Sequence, residues 1–285
     1  MPEPNSPYAA RAMAGRLFVV GCARSGTTLL QSLLAAHPAV LSFPETAVFS
    51  HLLSPVVPGQ TRQITVHRRT QLCYRQATAL LNSLARRDLE QLLPIRSQSI
   101  RHFVDGFVAM LDRLTLDKGK SWWVEKTPGN ICFVPEILAL VPGAKFIAIV
   151  RDGRQNVAAL YDMGRKYPDW AAYRNLDLAI EAWNSSARYA HLLRSMPEAR
   201  IIRLERLLSE TEAAVKEVCQ FLGLPFTRDM IDCRAEAAGA VITAREPWKA
   251  DVLTPLRSAG EDKFERLFDG GQKAYIEARL EKIDF

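Results

Sequence analysis

The chain has 285 residues, with 37 Lys and Arg against 31 Asp and Glu for a net charge of +6, and it is 48% hydrophobic and 24% charged. That balance is ordinary for a soluble globule, and with no low-complexity tract and no apolar run of bilayer length it excludes a fibrous or membrane-spanning chain. The excess of positive charge suits an anionic ligand, but HRR at His67–Arg69 and ARR at Ala85–Arg87 read as solvated helix faces, so no nucleic-acid partner is expected.

Residues 1–15, MPEPNSPYAARAMAG, hold prolines and polar residues without an apolar stretch of signal-peptide length. They are expected to form a flexible leader to a single domain at 16–285. The five cysteines, Cys22, Cys73, Cys132, Cys219 and Cys233, are odd in number, scattered and without CxxC spacing. This favours reduced thiols and a cytoplasmic setting over a disulfide framework.

Leu17–Val20 is a short apolar run that predicts a strand, followed by a glycine-containing loop and a helix over Thr28–Ala36. A short strand is expected at Val40–Phe43. The stretch from Ser50 to Lys120 is rich in Leu and Arg and predicts helices at Thr70–Leu92 and Ile100–Leu116. It reads equally as a helical cap over a ligand site, at about 50–120, or as packing bulk. Further strands are expected at Trp122–Glu125, Phe146–Val150 and Ile201–Leu204. Helices are expected at Pro135–Leu140, Arg154–Met163, Leu176–Ser195 and Thr211–Leu222.

Continuous rather than alternating apolar runs mark strands covered on both faces, and their alternation with helices predicts a doubly wound, P-loop-like parallel α/β sheet. In such sheets ligands bind beyond the carboxyl ends of the strands. Gly21–Thr28, Lys126–Pro128 and Arg151–Gly153 all follow predicted strands directly, so they are expected at one edge.

The loop after the first strand, Gly21 to Thr28, can be laid on the GxxxxGK[ST] pattern of ATP-binding loops. Both glycines fit, and Thr28 takes the hydroxyl position. The lysine position, however, holds Thr27, and the cation stands before the second glycine as Arg24. Gly26 lets the backbone approach a bound phosphate, and the loop amides and the following helix dipole attract it. Arg24, Ser25, Gly26, Thr27 and Thr28 are therefore the candidate anion cradle. Without the lysine and a carboxylate-held Mg²⁺, the loop suits a nucleotide with a single 5′ phosphate group better than ATP. No HExxH, DxDxDG or Cys/His cluster is present, and no metal ligands are assigned.

GCARSGTTLL with AHPAV and PET downstream, WVEKTP at Trp123–Pro128, AKFIAIVRDGRQNVAALY at Ala144–Tyr161 and IIRLERLL at Ile201–Leu208 together resemble the sulfotransferases that use 3′-phosphoadenosine 5′-phosphosulfate (PAPS). The resemblance is nearest to the bacterial and tyrosylprotein-type branch, whose loop reads PRSGTT. It implies transfer of a sulfuryl group from PAPS to an acceptor hydroxyl by in-line displacement, leaving 3′-phosphoadenosine 5′-phosphate (PAP). It further implies Arg24 to Thr28 around the 5′-phosphosulfate, Arg151 at the 3′-phosphate, Lys126 and Arg24 at the leaving group, and Glu45 of FPET as the base. Burial near the acceptor is expected to raise the Glu45 pKa for that task. Without the resemblance, Glu45 also reads as a charge at the start of a helix over Thr46–Leu53, Lys126 as a strand-end lysine, and Arg151 as a strand-end partner of Asp152.

The sequence departs from the family pattern at three points. Pro128 stands where the aryl and steroid enzymes have the KTH histidine, Ala159 stands at the serine that assists the 3′-phosphate arginine, and Leu204 stands at the tyrosine near adenine. Ser185 or Ser186 is a candidate replacement for the missing serine. Trp248 and Lys249 are candidates to fold back over the cofactor. Cys22 reads as a small loop residue or as a thiol with depressed pKa, and His37 as a turn residue. The acceptor, whether peptide tyrosine, carbohydrate, lipid or metabolite, and the oligomeric state are not read from the sequence. Two other functions stay open, a P-loop kinase of a nucleotide or small metabolite and a nucleotide-binding regulator without turnover.

Overall fold

A computed structural model describes residues 12–54, 64–239, 247–254 and 262–285. Most of the expected leader and residues 55–63 of the expected cap lie outside the described residues. The five expected runs are all strands. β1 (Gly15–Gly21), β2 (Val40–Ser42), β3 (Trp122–Lys126), β4 (Ala144–Val150) and β5 (Ala199–Arg203) pair in parallel in the order β2-β3-β1-β4-β5. The helices are α1 (Thr27–Ala35), α2 (Val48–Leu53), α3 (Val66–Ser83), α4 (Ile100–Asp117), α5 (Val134–Leu140), α6 (Gly153–Lys166), α7 (Leu176–Leu193), α8 (Leu204–Ser209), α9 (Thr211–Leu222), α10 (Asp229–Asp232), α11 (Arg234–Gly239), α12 (Lys263–Leu267) and α13 (Gly270–Glu277).

Successive strand residues feed opposite faces, as the pleat requires. Phe18 and Val20 of β1 and Phe146, Ala148 and Val150 of β4 enter a cluster with α2 to α5, whereas Leu17, Val19, Ile147 and Ile149 enter a second one with α1, α8, α9 and α10. Both faces are therefore apolar, and the runs had to be continuous. Phe18 centres the first layer, with Phe49, Trp123 and Phe146 at ring distances of 5.1, 5.2 and 5.1 Å. The helices of the inserted stretch are part of this layer: Phe103 and Phe107 of α4 are fully buried in the same cluster. A third cluster joins α6 and α7 to α12 and α13.

Helix ends follow local chemistry. Thr65, Ser99, Asp152 and Asn175 cap α3, α4, α6 and α7 with side-chain oxygens. The helix expected over Thr70–Leu92 is instead two elements: α3 ends at Ser83, Ala85 takes a left-handed φ of 53°, and Arg87–Leu92 is a separate 3-10 turn. Leu204, expected to end β5, opens α8. No helix among the described residues is long and apolar enough to cross a membrane.

Candidate active site

The loop leaving β1 is held open by backbone geometry. Gly21 has φ +149°, and a Cβ there would lie 2.4 Å from the carbonyl oxygen of Ile149, its register partner on β4. Gly26 has φ +92° just before Thr27 opens α1, and a Cβ there would meet Leu204 Cδ1 at 2.6 Å. At Gly21 a side chain would strike backbone, and at both positions the positive φ disfavours any residue but glycine. Between them Arg24 adopts a left-handed φ of 68°. Asn156 of α6 braces the loop from below, its Nδ2 donating to Ser25 Oγ at 2.8 Å and to Ala23 O at 3.2 Å. Ser25 and Thr27 are buried and Thr28 is half-buried. The first turn of α1 has no side-chain cap at Gly26, so its leading backbone N–H groups lack intrahelical partners, the condition under which a helix N-terminus can take an anion.

Arg151, the residue after β4, lies beside this loop, with Nη1 donating to Arg24 O at 3.1 Å. Its own carbonyl accepts from Trp183 Nε1 at 3.0 Å. Burial and then the Arg24 charge hold its guanidinium below the usual arginine range, with Glu205 and Asp152 opposing them. Two partly buried cations side by side are stabilised by an anion placed between them. The Arg151 edge opens on a cavity of about 830 Å³ that is also lined by Arg154, Trp183, Arg203 and Lys282.

Glu45, three residues past β2, meets Lys126, the last residue of β3. Lys126 Nζ donates to Glu45 Oε2 at 2.5 Å, and Lys249 Nζ donates to the same oxygen at 3.2 Å. The Lys126 side chain is 1% exposed and that of Glu45 31%, so the pair is reached from the carboxylate side. Burial alone would raise the Glu45 pKa, as expected from the sequence. Here Lys126 and Lys249 outweigh it, and the carboxyl is held below the usual carboxylate range. The expected upward shift is thus corrected: the carboxylate stands between two cations. For Lys126 burial dominates and lowers its pKa, with Glu45 opposing that shift.

Lys249 arrives on a 3-10 turn, Pro247–Leu253, whose Trp248 carbonyl accepts from Arg24 Nη1 at 3.1 Å. The Trp248 ring stands edge-on to Tyr167 and Trp170 at 5.3 and 5.8 Å. Buried Arg234 of α11 donates to Val252 O at 2.5 Å and to Thr254 O. The turn therefore ties the anion loop to the Glu45 pair, a placement that its Trp–Lys sequence alone signalled faintly.

Directly below, Glu125 is fully buried. Its Oε1 accepts from Thr46 N at 3.3 Å, Thr46 Oγ1 at 2.8 Å and Thr127 Oγ1 at 2.6 Å, while Oε2 accepts from Asn130 Nδ2 at 2.9 Å. Thr127 Oγ1 in turn accepts from Ala47 N at 3.0 Å. Among the described residues no group of three or more His, Cys, Asp or Glu side chains is placed to hold a metal ion.

The family model for the sulfotransferase family matches residues 16–228, about three-quarters of the chain. The chain belongs to the sulfotransferase family. It is 25% identical over 219 residues to a putative protein-tyrosine sulfotransferase of Caenorhabditis briggsae, covering 75% of this chain and 68% of that one. It is 23% identical over 260 residues to protein-tyrosine sulfotransferase 1 of Danio rerio, covering 87% of this chain and 65% of that one. The chain thus spans about two-thirds of these relatives, and 38% of a Drosophila melanogaster protein-tyrosine sulfotransferase. Among solved structures it shares its fold with the sulfotransferase domain of the curacin biosynthetic pathway, at a TM-score of 0.55 and 20% identity over 95% of this chain and 99% of that one. A mouse sulfotransferase complexed with PAP gives a TM-score of 0.53 at 14% identity over 94% and 83% of the two chains.

In this sulfotransferase, Arg24 and Arg151 are neighbours, and Glu45 and Lys126 form a second centre joined to the first through Trp248 and Lys249. Ala159 is buried in α6, Leu204 packs over Gly26, and Ser185 hydrogen-bonds the Cys132 thiol. Cys22 is the small loop residue rather than an activated thiol: burial pushes it up to about 12. His37 is a turn residue, accepting from Ala39 N through Nδ1 and facing Pro225 O through Nε2. Sequence reasoning missed Asn156 and Glu125. The signal for Glu125 was a carboxylate in a strand covered on both faces, which needs several hydrogen bonds to be tolerated there.

Proposed function

We propose that this sulfotransferase moves the sulfuryl group of PAPS to an acceptor hydroxyl, as one domain over residues 16–285, with Glu45 as base. The observation that carries the reading is the Glu45 carboxylate held by Lys126 and Lys249 next to an anion loop that has Thr27 where ATP-binding loops have lysine. PAPS, when bound, supplies the sulfuryl group and leaves as PAP. The Arg24–Thr28 loop fits its 5′-phosphosulfate, since the glycine backbone and α1 amides favour a bound anion there. Arg151 fits the 3′-phosphate as a bidentate guanidinium at the start of α6. Glu45 takes the acceptor proton as the acceptor oxygen bonds to sulfur, and Lys126 and Arg24 balance the charge that develops on the departing phosphate oxygen. Positive charge comes from Arg24, Lys126, Lys249 and Arg151, so the reading needs no metal ion.

The protein-tyrosine relatives make a peptide tyrosine the first acceptor to test, ahead of carbohydrate, lipid and small metabolite hydroxyls. The scattered cysteines support a cytoplasmic setting.

Calorimetry with PAP, AMP, ADP and ATP, each with and without Mg²⁺, tests the donor. PAP is expected to bind best and without Mg²⁺; ATP·Mg²⁺ binding as well as PAP overturns the reading in favour of a kinase. Arg151→Ala is expected to weaken PAP by about 2–5 kcal/mol, roughly 30-fold or more, and to leave AMP nearly unchanged. Equal losses for PAP and AMP would remove Arg151 from the 3′-phosphate.

Lys249→Met tests the charge balance at Glu45. Losing one of two cations lets burial count for more, so the Glu45 pKa rises and the acid limb of the rate–pH profile moves to higher pH. A limb that stays in place, measured with any working acceptor, detaches Lys249 from the base.

A further inference from the structure

We propose that Glu125 is a positioning residue that fixes Glu45 relative to Lys126, through a buried hydrogen-bond hub joining the FPET loop to the end of β3 and the Thr127 that follows it. The inference rests on the sulfuryl-transfer reading for the role of Glu45, but its geometry stands apart from it. Glu125 receives the backbone amide and hydroxyl of Thr46, the residue after Glu45, and the hydroxyl of Thr127, the residue after Lys126. The same Thr127 oxygen accepts from Ala47 N, so the FPET loop and the end of β3 close on one carboxylate. Asn130 anchors the other oxygen from the 3-10 turn Pro128–Phe133.

The strain and cost of this arrangement point to function over packing. Ala47 is held at a left-handed φ of 52° where α2 begins. A carboxyl with no exposed surface stands on the same face of β3 as the buried Trp123, where an apolar side chain would be buried at lower cost. Burial pushes its pKa up, and the hydrogen bonds from Thr127 and Thr46 oppose that shift. Those bonds hold the loop that carries Glu45 against the end of β3, where Lys126 is already fixed by its pairing with Val19, so the 2.5 Å Glu45–Lys126 contact depends on how that loop is tied down.

The hub also predicts its own rescue. Asn130 Oδ1 is buried without a hydrogen-bond partner. In Glu125→Gln the amide oxygen keeps the Thr46 and Thr127 bonds, and a flipped Asn130 accepts from the new amide nitrogen. In Glu125→Ala nothing replaces the hub, and Thr46 and Thr127 lose their common acceptor.

The test compares Glu125→Ala, Glu125→Gln and Thr46→Val by amide hydrogen exchange of the 43–49 segment, PAP calorimetry and sulfate transfer at saturating PAPS. Glu125→Ala is expected to speed exchange at Thr46 and Ala47 by about tenfold or more and to lower kcat on the order of 100-fold. Its PAP affinity is expected to stay within about threefold, and Glu125→Gln is expected to recover both exchange protection and most turnover. Unchanged exchange in the Ala variant, or a Gln variant as damaged as Ala, overturns the proposal. So does a loss of PAP affinity in step with turnover, which marks general loosening of the fold. Should Glu125→Ala fail to fold, Thr46→Val decides: faster exchange at Ala47 with intact PAP binding supports the hub, and wild-type exchange overturns it. Wild-type protein that binds no PAP sinks the sulfuryl-transfer reading but leaves the exchange result standing.

Discussion

Glu45→Gln is expected to reduce sulfate transfer by about 10² to 10⁴ while PAP binds as tightly as before or somewhat tighter. Glutamine keeps the shape of the side chain and an oxygen for Lys126, so the loop should not move. What it loses is the ability to take a proton from the acceptor hydroxyl as the O–S bond forms. The wild-type carboxylate is well suited to that task in one respect and poorly in another. Lys126 and Lys249 keep it ionised to low pH, so it is always ready to accept a proton. The same two cations make it a weak base while they remain attached. An anionic sulfuryl donor beside Lys126 competes for that lysine, and Glu45 then becomes the stronger base at the moment it is needed. Removing the carboxylate also removes a negative charge from the anion site, which explains why PAP affinity should not fall. Turnover within tenfold of wild type, measured with an acceptor the wild type uses, would exclude Glu45 as base.

The sheet was legible because burial on both faces leaves a mark that survives in short strands: Leu17–Val20 and Phe146–Val150 have no polar residue to interrupt them. The glycine loop was legible for a similar reason, since few residue types fit φ values of +149° and +92°. What the sequence hid was contact across long separations. Glu45 and Lys126 lie 81 positions apart and Glu45 and Lys249 lie 204 apart, and no local pattern reports such a meeting. The pKa of Glu45 was misjudged for that reason: its burial was inferable, but the two lysines that outweigh burial were not assigned to it. Beyond Leu222 the helices α10 to α13 are each eight residues or shorter, too brief for apolar periodicity to stand out. Leu204 is a subtler case. Read as the place of a missing tyrosine, it also covers Gly26, a packing role that only the fold could display.

Lys126→Met should be nearly as damaging as loss of the base, at about 10² to 10³ in kcat, and for a different reason. Methionine fills the same buried channel, so the fold is expected to hold, but no cation remains to balance charge on the departing phosphate oxygen. Glu45 is also left with Lys249 as its cationic partner, and burial then raises its pKa. The residual rate should therefore fall off at higher pH on its acid side than the wild-type rate does. Lys126→Arg is not expected to rescue: a planar guanidinium is bulkier and asks for several acceptors, whereas the Lys126 ammonium sits in a site with 1% exposure. Its charge would be retained and its position lost. A Met variant within tenfold of wild type would show that Arg24 and the loop amides suffice for the leaving group, and an active Arg variant would show that charge alone matters. If both stay inactive while PAP still binds, the ammonium must act at one fixed point, set by the end of β3 and by the loop that brings Glu45 to it.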